Sequence, residues 1–237
     1  MKLDNISTCC EGQATRMLGS LPEYIFSVDV SKRALYVDMY TDATVSLAAV
    51  GLAADTRLSM VTKWPLGEHV AIELAGDNAN FTLMLRIPAW VRETTVNVTL
   101  STAAGASEQV VESWHGSPGA YLPIARNWKA GDSLSFSLPM KLKASRYTGL
   151  TTIPGFERFA LEYGPLLLSA VGGHWNTSID SMLIRGVEHP EQPETWVQPV
   201  PGRPLHFTVV GNAGTEFVPY YEVQEEQFEV YPAFEPT

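Results

Sequence analysis

The spacing of apolar residues divides the chain into a short helical beginning and a long β-rich remainder. Apolar side chains first recur at helical spacing, at Ala14, Met17, Leu18, Leu21 and Ile25. Ser7 and Thr8 are favourable N-cap residues, so a helix is predicted from Cys9 to about Phe26. Pro22 lacks a backbone N–H and is expected to kink or split this helix.

Apolar and polar residues alternate after residue 27, as in half-buried strands. The predicted strands are 34–40, 45–50, 56–62, 70–74, 81–87, 96–100, 120–124 and 133–138, with later strand-like segments at 159–171, 205–210 and 220–231. Gly, Pro, Asn and Asp separate the earlier strands, and the Pro-rich stretch 188–204 is expected to be a loop or surface strap. Many short strands without alternating helices favour an antiparallel sandwich over a parallel α/β sheet.

These patterns predict a mainly β fold, with antiparallel β-sandwich domains preceded by one helix. The predicted domains are 1–28 for the helix, 29–142 for a first sandwich and 143–237 for a second sandwich-like domain. A lone amphipathic helix needs a partner for its apolar face. It either packs on the sandwich or is the last element of a helical domain whose remainder is missing from this chain.

Composition and charge exclude several classes of partner. The net charge of −10 and the pI of about 4.9 argue against nucleic acid and anionic membranes. No apolar stretch approaches the roughly 20 residues of a membrane span, and no apolar segment follows the first residues as in a secretory signal. The sequence leaves the cellular location open.

Both cysteines of the chain, Cys9 and Cys10, are adjacent and lie at the start of the predicted helix. Consecutive cysteines reach disulfide geometry only with strain. A helix N-terminus favours the thiolate, which acts as a nucleophile or a metal ligand. The alternatives are a buried, inert pair and a redox switch through a vicinal disulfide.

Several segments resemble those of the β-L-arabinofuranosidase family, glycoside hydrolase family 127 and its relatives. The most specific is the Cys-Cys helix with the strand after it, and the others follow the β pattern. They are Ser7–Ser27, Ala34–Tyr40, Phe81–Trp90 with its Arg-Ile-Pro-Ala-Trp ending, Gly119–Asp132, Leu138–Met140 and Arg158–Leu166. The resemblance covers essentially the whole chain.

This resemblance implies a particular place for the chain in a larger enzyme. In the family an (α/α)6 barrel carries the active site, and one or two β-sandwich domains follow it. The chain would then hold the last barrel helix, within residues 1–28, and the sandwiches. By the matching motif, Cys9 takes the roles of nucleophile and zinc ligand, and Cys10 takes the role of zinc ligand. The third cysteine, the zinc-binding glutamate and the acid/base glutamate would lie upstream.

The implied chemistry is retaining hydrolysis of an arabinofuranoside-type carbohydrate. Zinc keeps a coordinating thiol deprotonated, so Cys9 can replace the usual nucleophilic carboxylate. Zinc sites need about four ligands, the cysteine pair supplies at most two, and no histidine has suitable spacing to it. The chain alone is therefore expected to bind zinc poorly and to be inactive. The best-understood members have prolines after the cysteine pair, whereas this chain has Glu11-Gly12-Gln13. The resemblance therefore indicates the type of reaction more closely than the identity of the sugar.

Other chemistry-bearing residues have structural interpretations beside the functional ones. Trp128 is interpreted as a hairpin anchor, whereas Trp114-His115-Gly116 is predicted to be a loop that could contact sugar. Glu162 is interpreted as a structural residue. Arg16 could either reach the substrate or pair with an acidic residue of the missing (α/α)6 barrel. The remaining acidic residues are predicted to form a solvated strand face and not a calcium site, at Glu222, Glu225, Glu226 and Glu229.

Two further expectations concern the chain by itself. The alternative function is a non-catalytic β-sandwich module, either carbohydrate-binding or structural. In addition, the apolar helix stripe can be only partly covered without a barrel, so the helix is expected to fray or to self-associate.

Overall fold

The computed structural model describes residues 8–93, 95–104, 107–212 and 214–235, and these are mainly β with one α-helix. Contacts between Cα atoms divide the chain into two units. The first unit comprises Met1–Ala89 and Glu93–Leu138, and the second comprises Trp90–Arg92 and Pro139–Thr237. The domain borders expected after residues 28 and 142 stay predictions. Within the described residues, no helix has the length and apolar character to cross a membrane.

The predicted helix is present and is split at its proline. Helix α1 spans Thr8–Ser20, and a 3₁₀ helix follows at Leu21–Tyr24 with Pro22 in its first turn. The 3₁₀ turn closes with a hydrogen bond from Ile25 N to Pro22 O of 3.4 Å. Because proline cannot donate to the α-helical ladder, the helix tightens there and then ends.

Ten strands form the rest of the first unit. They are β1 Phe26–Asp29, β2 Ala34–Val37, β3 Ala43–Ser46, β4 Thr56–Thr62, β5 His69–Gly76, β6 Ala79–Arg86, β7 Val96–Ala104, β8 Ser107–Gly116, β9 Tyr121–Trp128 and β10 Ser133–Ser137. One sheet has the order β1-β2-β6-β9, and the other has the order β3-β4-β5-β10-β7-β8. The pairing of β2 with β6 is parallel, and the other pairings are antiparallel.

Alternating burial along these strands produces a sandwich core. Along β4 and β6 every second residue is buried, as expected for strands with one face in the core. Tyr40, which follows β2, makes an edge contact with Phe136 of β10 at 5.5 Å between ring centroids, so residues of the two sheets meet. Trp128 is fully buried beside Phe81, and its indole N–H donates to Phe81 O at 3.0 Å. Trp128 therefore anchors the end of β9 in the core, as expected, but the turn after it is not a hairpin, because β9 and β10 lie in different sheets.

The second unit is built on one large mixed sheet. Its strands are β11 Leu142–Arg146, β12 Glu157–Tyr163, β13 Leu166–Gly172, β14 Trp175–Asn176, β15 Ser181–Ile184, β16 Val197–Pro199, β17 Phe207–Val209, β18 Thr215–Pro219, β19 Phe228–Glu229 and β20 Ala233–Phe234. The main path runs β14-β15-β20-β12-β13-β18-β17-β16, with β11 on β12 and β19 on β13. Two further 3₁₀ helices lie at Pro193–Thr195 and Tyr220–Glu222.

Aromatic side chains fill the core of the second unit. Trp196 lies 6.0 Å from Phe217 and 5.3 Å from Phe234 between ring centroids. Phe159 contacts Phe234 edge-on, at 5.5 Å. Such tilted and edge-on pairs are the preferred aromatic geometries, and their burial stabilises this unit.

Three predicted elements differ from the structure, and strands were also missed. The Pro-rich stretch 188–204, expected to be a loop or surface strap, holds the 3₁₀ helix Pro193–Thr195 and strand β16. The predicted strand 45–50 is wrong in its second half, because Leu47 begins a turn in which Leu47 O accepts from Leu52 N at 2.9 Å. The segment 220–231 holds a 3₁₀ helix and only a two-residue strand. Strand β8 was missed, since its polar sequence gives little alternation.

We expect Trp128→Phe to lower the free energy of unfolding by about 2–4 kcal/mol. The change removes the hydrogen bond to Phe81 O and leaves a cavity in a fully packed core. Trp64→Phe is the matched control, because Trp64 is at the surface and surface changes usually stay within about 0.5 kcal/mol. Urea unfolding followed by circular dichroism measures both variants, and an equal loss in both would contradict the anchoring role.

Candidate functional site

The cysteine pair lies in the first turn of helix α1. The backbone of Cys9 and Cys10 is helical and follows Thr8, the first residue of the helix. Their side chains lie outside the described part of the chain, so the expected thiol accessibility and the roles of Cys9 and Cys10 stay predictions. The helix N-terminus supplies a partial positive charge, which favours a thiolate at this position.

The rest of the helix exposes its apolar residues. Met17 is 61% exposed and Leu18 63%, and Tyr24 in the 3₁₀ turn is 59% exposed. Arg16 donates a hydrogen bond to the Gln13 side chain at 2.6 Å, within the same helix. Within this chain the stripe is therefore uncovered along the described part of α1.

A hydrogen-bonded cluster fixes the point where the helical segment enters the first sheet. Asp38, which follows β2, donates its backbone N–H to Ile25 O at 3.0 Å. The Asp38 carboxylate accepts hydrogen bonds from the Ser27 hydroxyl at 2.6 Å and from the Tyr121 hydroxyl. The Asp38 carboxylate thus ties β1 and β9 to the segment after β2, and the Asp38 backbone ties the same segment to Ile25.

Arg86 and Tyr40 extend this cluster into the sandwich. The Tyr40 hydroxyl donates to Arg86 O at 2.6 Å, and the Arg86 guanidinium donates to Asp38 O at 3.1 Å. Burial raises the pKa of Tyr40, and the hydrogen bond to Asp38, followed by burial, raises the pKa of Tyr121. Both phenols are neutral hydrogen-bond donors near neutral pH, so the cluster orients groups and supplies no base from them.

The described residues do not complete a metal site. No group of three or more His, Cys, Asp or Glu side chains within them could hold a metal ion. The cysteine pair would supply two thiolates of the roughly four ligands that zinc requires. The residues that the structure describes therefore do not form a whole zinc site by themselves.

The structure corrects two of the other sequence-based candidates. Trp114, His115 and Gly116 belong to strand β8, so the predicted loop is wrong; His115 is paired to Asn97 at 2.7 Å. Glu229 is not on a solvated strand face, because it accepts from Ser181 at 3.3 Å and pairs with Arg158 at 3.6 Å. Glu162 pairs with Lys143 at 2.8 Å across β11 and β12, in line with a structural role.

The first unit matches a known family model, and the fold of the chain is similar to that of solved structures. Residues 34–140 match the family described as β-L-arabinofuranosidase, GH127 middle domain. No curated protein matches the chain. The resemblance indicated by the sequence motifs is confirmed.

Solved structures of similar fold extend over nearly the whole chain. A GH127 β-arabinofuranosidase has a TM-score of 0.67 at 22% identity, covering 97% of this chain and 39% of its own. A GH127 β-L-arabinofuranosidase from Geobacillus stearothermophilus T6 has a TM-score of 0.63 at 18% identity, covering 98% and 38%. A protein described as a glycoside hydrolase has a TM-score of 0.63 at 17% identity, and the match covers 97% of this chain and 40% of that protein. The chain thus spans about two fifths of the length of these proteins.

We expect Asp38→Asn to lower the pKa of Tyr121 toward its ordinary value of 10.0, because the variant removes the carboxylate that raises it. In the wild type, the stabilisation from the protonated phenol is present in full below the unfolded-state pKa and is lost as pH rises through the higher folded-state pKa. Alkaline ultraviolet titration measures the shift, and Tyr121→Phe identifies which step belongs to Tyr121. If the titration step of Tyr121 lies at the same pH in Asp38→Asn as in the wild type, the carboxylate does not set this pKa.

Proposed function

Because residues 34–140 match the family described as β-L-arabinofuranosidase, GH127 middle domain, we propose that the chain is the C-terminal part of a retaining glycoside hydrolase. Its substrate is an arabinofuranoside-type carbohydrate. The observation that carries the proposal is the helix with its cysteine pair, joined through the 3₁₀ turn and β1 to the matched domain. The Cys-Cys helix and the strand after it are also the most specific part of the sequence resemblance. Helix α1 is then the last helix of an (α/α)6 barrel.

Cys9 is the nucleophile in this proposal. Its thiolate attacks the anomeric carbon, a carbon–sulfur bond forms, and the bond to the leaving-group oxygen breaks. An acid outside this chain protonates that oxygen, and water then displaces the sulfur from the same carbon, so that configuration is retained overall. The partial positive charge of the α1 N-terminus supports the thiolate form.

Cys9 and Cys10 are both zinc ligands in this proposal. Zinc bound to a thiolate would keep it deprotonated at neutral pH. The remaining ligands come from outside the chain, since the described residues hold no suitable group. The cluster around Asp38 has a positioning role: it fixes where the helical segment joins the sheet, and so sets the direction in which the cysteine pair is presented.

A non-catalytic carbohydrate-binding or structural module is the second candidate. It is favoured by the two β units, which make up nearly all of the described chain. The sequence encoded upstream of Met1 separates the two candidates. An extended protein that hydrolyses arabinofuranosides, and loses this activity in Cys9→Ala, supports the hydrolase. An upstream sequence without a helical barrel and its Glu-x-Cys motif supports the module.

We expect this chain by itself to give no turnover of an aryl β-L-arabinofuranoside above background. Proximity and a paired acid/base group supply most of a glycosidase's acceleration, and the proposal places that group outside the chain. Release of the chromogenic aryl group measures the rate, with added zinc in one arm. Turnover that disappears in Cys9→Ala would contradict the expectation.

We expect the chain to self-associate through the exposed stripe of α1. Covering a Met or Leu side chain contributes about 1.5–3 kcal/mol, so Met17→Glu with Leu18→Glu should weaken association at least about tenfold. Val61→Glu with Leu66→Glu is the matched control, because both residues are exposed to a similar degree on the β4–β5 hairpin. Sedimentation over a concentration series measures the effect. A wild-type monomer at every concentration would refute it.

A further inference from the structure

The second unit contains a groove that the proposed hydrolase function does not use. It has a volume of about 500 Å³, which falls within the roughly 300–1,000 Å³ typical of small-molecule sites. Its lining combines an apolar part with two cationic and two anionic side chains. The cysteine pair and the cluster around Asp38 belong to the first unit, whereas the residues that line the groove belong to the second.

The apolar part of the groove is held rigidly by the sheet. Leu142 of β11 and Tyr163 of β12 are direct cross-strand partners, and both pack against the core of the unit. The Tyr163 ring lies 5.2 Å from the Phe207 ring at an interplanar angle of 59°, which restricts its orientation. Pro193 is buried at the start of its 3₁₀ helix and completes this part of the lining.

The charged part of the lining comes from three separate places in the chain, at Arg92, at Lys141 and at Glu191 with Glu194. Arg92 donates to Leu142 O at 3.4 Å, a contact that uses one of the five N–H groups of its guanidinium. Lys141 precedes Leu142, and its carbonyl accepts from Gly164 N at 3.1 Å. Gly164 has a φ of 55°, and a Cβ there would lie 2.7 Å from Met140 Cγ, so glycine permits this close approach.

Two carboxylates balance these cations. Glu191 lies 3.4 Å from His189, and Glu194 is exposed in the 3₁₀ helix that begins at Pro193. With Arg92 and Lys141, the formal charge of the four side chains sums to zero. A strongly anionic or cationic ligand would meet like charges in the same groove, whereas a neutral ligand would not.

We propose that this groove binds a neutral oligosaccharide, without hydrolysing it. Each sugar hydroxyl both donates and accepts, so one ligand can accept from Arg92, whose guanidinium has further N–H groups, and donate to Glu191 and Glu194. The apolar face of a sugar ring matches the partly exposed surface of Tyr163 and Leu142. This binding is independent of the cysteine pair and holds whether or not the longer protein is a hydrolase.

Nuclear magnetic resonance on the isotope-labelled chain tests the proposal, with a neutral trisaccharide of L-arabinose as the probe. We expect chemical-shift changes concentrated at Leu142, Tyr163 and Glu194. Glu194→Gln replaces a charged acceptor by a neutral and weaker one, so affinity should fall up to about tenfold. Glu225→Gln makes the same charge change at an exposed site outside the groove lining and should leave affinity unchanged.

Two comparison ligands define what would overturn the proposal. Trigalacturonic acid is an anionic trisaccharide, and a zwitterionic dipeptide carries both charges. Tighter binding of either at the groove would show that charge, and not a neutral polyol, is recognised. Absence of shift changes at Leu142 and Tyr163 with the arabinose trisaccharide, or equal loss of affinity in both glutamine variants, would also refute it.

Discussion

The parallel pairing of β2 with β6 is the constraint on which the first unit depends. Leu35 lies opposite Leu83 in this register, and both are fully buried. Between these two strands the chain leaves the first sheet, forms β3, β4 and β5 in the second, and then returns. Arg33 helps to hold the crossover, because its guanidinium donates to Asn80 O and Leu52 O at 2.8 Å each. The two sheets therefore form together, since neither can be completed without the other.

The elements that were predicted correctly are those whose local pattern agrees with their final burial. Strand β4 matches the prediction over Thr56–Thr62 because its alternation continues to its ends. The split at Pro22 was also predictable, since proline acts through its own backbone. Strand β8 shows the opposite case: it pairs along its length with β7 at the edge of the sheet, and edge pairing does not require an apolar face.

The functional residues divide in a similar way. The cysteine pair could be placed at a helix start from sequence, because cap residues and helical spacing are local signals. The cluster around Asp38 could not be found, since Ser27, Asp38 and Tyr121 are brought together by the pairing of β1, β2, β6 and β9. Asp38 and Tyr40 are part of a segment that matched the family, yet their partners Tyr121 and Arg86 are far away along the chain.

Net charge and local charge lead to different conclusions about partners. The overall charge of −10 leads to the expectation that polyanions are disfavoured, and this expectation rests on composition alone. The formal charges that line the groove of the second unit nevertheless sum to zero. Folding places Arg92 beside Leu142, fifty residues later in the chain, and in the same groove as Glu191 and Glu194. A ligand responds to the charges within a Debye length of about 8 Å, and less to those farther away. The local charge of a groove is therefore set by which segments the fold assembles, and it cannot be read from the net charge of the chain.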